Sequence, residues 1–338
     1  MSLKCLGLSN NDEVITTPYT FYATINAIAQ ANCKPVYVDA KDDFNINPDL
    51  IEKKITKKTK ALLIPNLIGN IPNWSEIKKI AKKHRLKIIE DSADTMGAKI
   101  GTKTTGSYSD ISITSFYGSH VISCAGNGGI LLTNDKKYYL QAKILRSWGR
   151  ASSLIKDSEN INKRLNIKLK GYDYDKKFVF QDIGYNFEPS EISASFGLEQ
   201  LKKFRKFSSL RNKYFFMHLN FFKKFKKFFI TPKLLKNVST NFLAYPIIIR
   251  ENKYFNRKKL QIYLEKNLVQ TRPIFSGNIL RHPGFSYLIS KKNKLNSLKN
   301  ADYIMKNGIL IGCHQGLKIN NIKTIHSLIL KFIDKFNG

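Results

Sequence analysis

The sequence predicts an α/β fold: a mostly parallel sheet in a large first part, followed by a smaller α+β part. Three observations carry this. Short apolar runs alternate with amphipathic stretches of helix length over the first 90 residues, the spacing of a parallel sheet with crossover helices. The run TKALLIPN at 59–66 is unbroken, as in a strand covered on both faces. RLKIIED ends on Asp91, placing a carboxylate at a strand's carboxyl end, where such sheets hold ligands.

Taken in order, VITT is a short strand ended by Pro18 and an aromatic loop that opens a helix. PVYVDA (35–40) is a second strand. DFNINPDLIEKKI is expected to start a helix, with Asn47 as N-cap and Pro48 at the first helical position. TKALLIPN is the third strand, WSEIKKIAKKH an amphipathic helix, and RLKIIED the fourth strand. DISITSFY and ILLTN are strands joined by GSHVISCAGNGG, and KKYYLQAKILRSWG is a helix. Residues 151–182 read as a long irregular excursion. GYNFEPSEISASFGLEQLKKF gives a tight turn and a capped helix, with Glu188 and Ser190 flanking Pro189. The basic, aromatic stretch 203–230 fits a long interdomain helix packing on both parts better than a helix lying on a membrane surface. Strand AYPIIIR (244–250), helix RKKLQIYLEKN, loop TRPIFSGNILRHPGF and a last helix from Asn320 complete the chain.

With 338 residues the chain can build two domains and a substantial core. It has no apolar run of ~18 residues to span a membrane, and its start lacks the order of a signal peptide. Four scattered cysteines, Cys5, Cys33, Cys124 and Cys313, form no CxxC pair, so neither a disulfide framework nor a zinc site is indicated. A reducing cytoplasm is the expected setting. The net charge is +32. The lysines are spread along the chain and no nucleic-acid motif accompanies them. Residues with A/T-rich codons abound, so we read the charge as compositional. A nucleotide-linked substrate would still be drawn to such a field.

The chemistry concentrates in residues 91–134. Asp91 alone is compatible with an N-cap, a salt bridge or a catalytic role. Ser115 and His120 lie five residues apart, but no G-x-S-x-G elbow surrounds the serine. GNGG is followed by a strand rather than a helix, so a turn between strands is the default.

The order of DEVITTPYTFYAT, IEDSAD, SDISITSFYGSH, GNGGILLTND, RSWGR, GYNFEPSEISASFGLEQL and TRPIFSGNIL resembles the DegT-type sugar aminotransferases. These are fold-type I pyridoxal-phosphate enzymes acting on nucleotide-linked keto-sugars. The resemblance covers nearly the whole chain. It implies a cofactor-binding large domain (1–212), an interdomain helix with a small C-terminal domain (213–338), and a homodimer with active sites at its interface. It also implies roles. Asp91 pairs with the cofactor's pyridine nitrogen, keeping the ring protonated as an electron sink. Asp94 takes the place of a glutamine near the ring. Phe21 stacks on the ring, Ser115 binds the phosphate, and Asn186 is a phosphate ligand donated across the dimer.

The sequence departs from the aminotransferases at His120, where they carry the Schiff-base lysine. No lysine lies between Lys103 and Lys136. Imidazole cannot form that linkage but moves protons near neutral pH. A branch of the family has this exchange: the nucleotide-sugar 3-dehydratases, which use pyridoxamine phosphate to remove the C3 hydroxyl of a 4-keto-6-deoxyhexose for surface-polysaccharide synthesis. SFYGSH, EDSAD and RSWGR look closer to that branch. Some of its members hold an iron–sulfur cluster on cysteines shortly after RxWGR. ASSLIKDSENINKR has none, so no cluster is expected, and an amino donor such as glutamate would regenerate the amine. The family also has several dozen residues before DEVITTP, including a Gly/Ser/Thr-rich phosphate turn, so the resemblance implies an N-terminally truncated chain. A nucleotide-sugar aminotransferase and a non-catalytic family member are the alternatives.

Overall fold

A computed structural model describes residues 1–41 and 44–336. Its centre is a six-stranded sheet in the order Lys34–Tyr37, Glu13–Thr16, Thr59–Pro65, Lys87–Asp91, Ile111–Ser115, Gly129–Leu132. The first five strands are parallel and the last is antiparallel. Register pairs Pro65 with Asp91 and Asp91 with Ile113, so the strands' carboxyl ends form one rim. The strand order reverses between Glu13–Thr16 and Thr59–Pro65, the switch point at which sheets of this kind hold ligands.

Local chemistry explains the elements. Thr59–Pro65 is buried at every position but Lys60, as its apolar run requires. Helix Trp74–Lys83 is capped reciprocally: Asn73 accepts from Glu76 N–H and donates to the Glu76 carboxylate. It buries Trp74, Ile77 and Ala81 on one stripe. Asp135 caps helix Lys136–Arg146 by accepting from Lys137 and Tyr138 N–H.

Three expectations need correction. Residues 47–54 form two 3₁₀ turns, Pro48–Leu50 and Glu52–Lys54, instead of an α-helix. Asn47 does cap the first, but the segment's buried anchors, Pro48 and Ile51, lie three apart, the repeat of a 3₁₀ turn. Asp43, which opens the quoted segment, lies outside the described residues. The 151–182 excursion carries short elements, including a hairpin of Ile167–Leu169 and Tyr172–Tyr174. Lys170 and Gly171 at its tip both have positive φ, as a primed two-residue turn demands. Finally, the helix after Pro189 and the aromatic helix are one, Glu191–Phe222, and Ser190 makes no side-chain cap.

That long helix buries Arg211, Tyr214, Phe215, His218, Leu219 and Phe222, a stripe at helical spacing. It packs with helix Ile319–Asp334 on a second sheet, antiparallel, of Phe229–Ile230, Tyr245–Ile249, Gly308–Ile311 and Thr271–Arg272. Phe215 stacks on Phe242 at 3.4 Å between ring centres. The aromatic stretch is therefore core on this face. Among the described residues no helix is long and apolar enough to cross a membrane.

This core holds a histidine pair with a consequence for acid stability. His218 Nε2 lies 3.2 Å from Gly312 O, which can only accept, so Nε2 carries the proton and Nδ1 accepts from His326 Nε2 at 3.0 Å. Burial, then the neighbouring His326, pushes His218 down to about 3. Burial, then Lys224, pushes His326 down to about 4. An unfolded histidine binds its proton near ~6.5, so the unfolded chain gains protons first as pH falls. The pair's contribution is complete above that value and is lost as pH falls from there through about 4 for His326 and about 3 for His218. The urea midpoint should fall steadily between pH 6.5 and 4.5, and His218→Asn should flatten that slope. Equal slopes in the two proteins would exclude the pair as its source.

Candidate active site

Alternate residues of strand Lys87–Asp91 point to opposite faces. Glu90 is fully buried, with Oε1 accepting from Ser92 Oγ (2.6 Å) and Asn66 Nδ2 (3.0 Å) and Oε2 from Gly106 N (2.8 Å). Asn66 Oδ1 accepts from Trp74 Nε1 at 2.8 Å. Burial raises the Glu90 pKa against these hydrogen bonds. This network anchors the strand end and the turn after it, and so fixes Asp91 and Asp94.

Asp91 Oδ2 accepts from Thr24 Oγ1 (2.9 Å) and Oδ1 from Ala93 N (3.1 Å). Desolvation pushes its pKa up, opposed by those two hydrogen bonds, with smaller effects from Asp94 upward and His120 downward. Asp94 is buried. Its Oδ2 accepts from Ile68 N at 2.9 Å, and its Oδ1 lies 3.4 Å from His120 Nδ1. That contact lacks hydrogen-bond alignment, and His120 Nδ1 is buried without another bond. His120 sits on a folded-back loop: its N–H donates to Tyr117 O, Cys124 N–H to Phe116 O, and Phe116 N–H to Gly128 O. Gly128 takes φ +158°, and a Cβ there would press on Phe116 and Cys124. GNGG is accordingly a turn between antiparallel strands.

Ser115 ends the strand beside Asp91, its hydroxyl accepting from Tyr117 N at 3.2 Å. Phe21 occupies the N-cap of helix Tyr22–Gln30, the helix that supplies Thr24, and is 50% exposed against Tyr22. Asn186 is exposed and pairs by backbone with Ser147. Asp91, Asp94 and His120 thus come together, with Ser115 on the adjacent strand and Phe21 on the loop leading to Thr24. Among the described residues no hydrogen bond joins the Asn186 side chain to them.

Two contributors were not foreseen: Thr24, which donates to Asp91, and Ile68, whose N–H donates to Asp94. Neither carries a distinguishing sequence signal.

A pyridoxal-type cofactor needs a carboxylate for its ring nitrogen, a flat apolar neighbour and donors for its phosphate. Asp91 fits the first need, being a desolvated carboxylate held only by neutral donors. Phe21 presents an open ring, and Ser115 a hydroxyl on the same rim. The fold is that of the fold-type I pyridoxal-phosphate enzymes.

The chain belongs to the DegT/DnrJ/EryC1/StrS aminotransferase family, whose sequence profile matches residues 1–330. It is 31% identical over 332 residues to the lipopolysaccharide biosynthesis protein RfbH of Salmonella typhimurium, covering 96% of this chain and 75% of that one. It is 30% identical to the GDP-4-keto-6-deoxy-D-mannose 3-dehydratase of Escherichia coli O55:H7, over 91% of this chain and 77% of the relative. A solved E. coli GDP-4-keto-6-deoxy-D-mannose-3-dehydratase with bound hydrated pyridoxal phosphate superposes with a TM-score of 0.84 at 27% identity, over 97% of this chain and 85% of that one. A UDP-4-amino-4,6-dideoxy-N-acetyl-beta-L-altrosamine transaminase of Helicobacter pylori is 29% identical, over 97% of this chain and 80% of the relative. The cofactor is pyridoxal or pyridoxamine 5′-phosphate. The family comprises sugar aminotransferases and C3 dehydratases of polysaccharide sugar synthesis.

Proposed function

We propose that this protein is a pyridoxamine-phosphate-dependent 3-dehydratase of a nucleotide-linked 4-keto-6-deoxyhexose. The observation that carries the reading is His120, five residues after Ser115 and facing Asp94 at 3.4 Å. It stands in a loop with no lysine to form a permanent link to the cofactor.

When bound, pyridoxamine phosphate supplies an amine that condenses with the sugar's C4 ketone and a ring that accepts electrons. Asp91 holds the proton on the ring nitrogen. Phe21 packs on the ring face, and Ser115 binds the phosphate. Asp94 draws the imidazole proton to His120 Nδ1, which leaves Nε2 as the base. Nε2 takes the proton from the amine-bearing carbon of the bound cofactor and returns it to the C3 hydroxyl, which departs as water with the electron pair released at that carbon. An amino donor such as glutamate restores the cofactor's amine, oxidised to the aldehyde level in that exchange. In support of that route, no cysteine follows RSWGR until Cys313.

We assign residues 1–212 to cofactor binding and 213–338 to the long helix's second half and the small domain. The molecule is proposed to act as a homodimer in which Asn186 serves the partner's phosphate. Ile183, Phe187, Ile192 and Leu198, around Asn186, are exposed by 82, 56, 80 and 63%, more apolar surface than a lone chain usually leaves uncovered.

The test is direct. Protein loaded with pyridoxamine phosphate and given a nucleotide 4-keto-6-deoxyhexose should yield the 3-deoxy sugar. Sedimentation should give twice the 38.8 kDa chain mass. A stable 4-amino sugar with its C3 oxygen intact would assign the transaminase reaction instead.

A further inference from the structure

Arg211 is 2% exposed, in the middle of the helix Glu191–Phe222. Among the described residues it makes no ion pair. A buried guanidinium without a counter-ion is unfavourable unless its donors are satisfied, so its partners matter. Nε donates to Gln315 Oε1 at 2.6 Å. Nη1 donates to Phe242 O at 3.1 Å and to Leu243 O at 3.0 Å.

Both partner segments run on to the active site. Leu243 N–H donates to Ile68 O at 3.0 Å. Ile68 N–H donates to Asp94 Oδ2, and Asp94 Oδ1 faces His120 Nδ1. On the other side, Gln315 Nε2 donates to Val121 O, the residue after His120, at 3.5 Å. The contacts form a closed ring: Arg211, Leu243, Ile68, Asp94, His120, Val121, Gln315 and back to Arg211.

Ile68 is its strained member, with φ +60°. A β-branched residue in the left-handed region is strained and persists only where neighbours hold it. Here both sides of Ile68 are held, N–H by Asp94 and C=O by Leu243. Thr240 Oγ1 clamps Gly69 O at 2.7 Å, and a Cβ on Gly69 would collide with the Asn241 carbonyl.

We propose that Arg211 and Gln315 are positioning residues for His120. The buried guanidinium locks the 242–243 and 315 segments, and these set the Ile68 turn, the Asp94 carboxylate and the His120 loop. The ring thereby keeps the imidazole proton on Nδ1 and Nε2 free. This rests on His120 being the proton-moving group.

The test uses the full-length protein labelled with ¹⁵N in histidine, with the His120 signal identified by its loss in His120→Asn. Wild type should show the Nδ1–H tautomer at His120. Gln315→Ala and Arg211→Lys should mix the tautomers. At equal cofactor occupancy, kcat should drop roughly ten- to a hundredfold with KM little changed. Gln315→Ala serves as the milder variant should Arg211→Lys fold poorly. A His120 tautomer unchanged in folded Gln315→Ala protein would overturn the proposal. Absence of C3 dehydration by wild type would remove the proposed function, while the resonance arm would still decide the positioning role.

Discussion

His120→Asn should lose C3 dehydration by about 10²- to 10⁴-fold, the usual contribution of a positioned acid–base group. Asparagine keeps a donor of similar reach towards Asp94 but cannot take up and return a proton. Cofactor loading should survive, because Asp91, Phe21 and Ser115 are held by contacts that do not involve the imidazole: Thr24 and Ala93 for Asp91, Tyr117 N–H for Ser115. The measurement is 3-deoxy sugar formed per loaded site, with loading read from cofactor absorbance. Turnover within a few-fold of wild type at equal loading would remove His120 from the chemistry.

Asp91→Asn should be almost as damaging to turnover while leaving the stability of the cofactor-free protein at neutral pH no lower than that of wild type. The amide oxygen can accept from Ala93 N–H while its NH2 donates to the Thr24 hydroxyl, so the local shape is kept. It has no charge with which to hold a ring-nitrogen proton. An opposite charge at contact shifts a pKa by ~1–3 units, so the loss should be about 10- to 1000-fold. In the cofactor-free protein, burial raises the Asp91 pKa above its unfolded value. Folding then favours the protonated acid, and stability is lost as pH rises from the unfolded towards the folded pKa. At neutral pH the cofactor-free variant should therefore melt no lower than wild type. A lower melting temperature there, or full turnover at equal loading, would contradict this account of the carboxylate.

The two residues differ in how far the sequence exposed them. Asp91 was readable from elementary patterning, because an apolar run ending in a carboxylate is a strand end, and strand ends of parallel sheets face ligands. His120 carried no such pattern. Its meaning came from resemblance over several spaced motifs, and its neighbour Asp94 became its partner only in three dimensions. The aromatic stretch 203–230 shows another limit. Its periodicity announced a helix, but the continuity of that helix from Glu191 depended on packing along its full length. The 47–54 segment shows a third: cap and proline were in place, yet anchors three residues apart selected a tighter turn.

The sequence by itself determined the main strands of the large sheet and the helices Tyr22–Gln30, Trp74–Lys83 and Lys136–Arg146 beside it, the carboxylate at the sheet's rim and the family, because these depend on local periodicity and on motifs in linear order. The tertiary structure decided what local pattern cannot encode. It bent Ile68 into the left-handed region, brought Asp94 to His120 across 26 residues, and buried Arg211 between segments more than 30 and 100 residues away. Burial makes such groups consequential, since a desolvated charge or an unpaired donor forces its surroundings to satisfy it, and burial is a property of the packed chain.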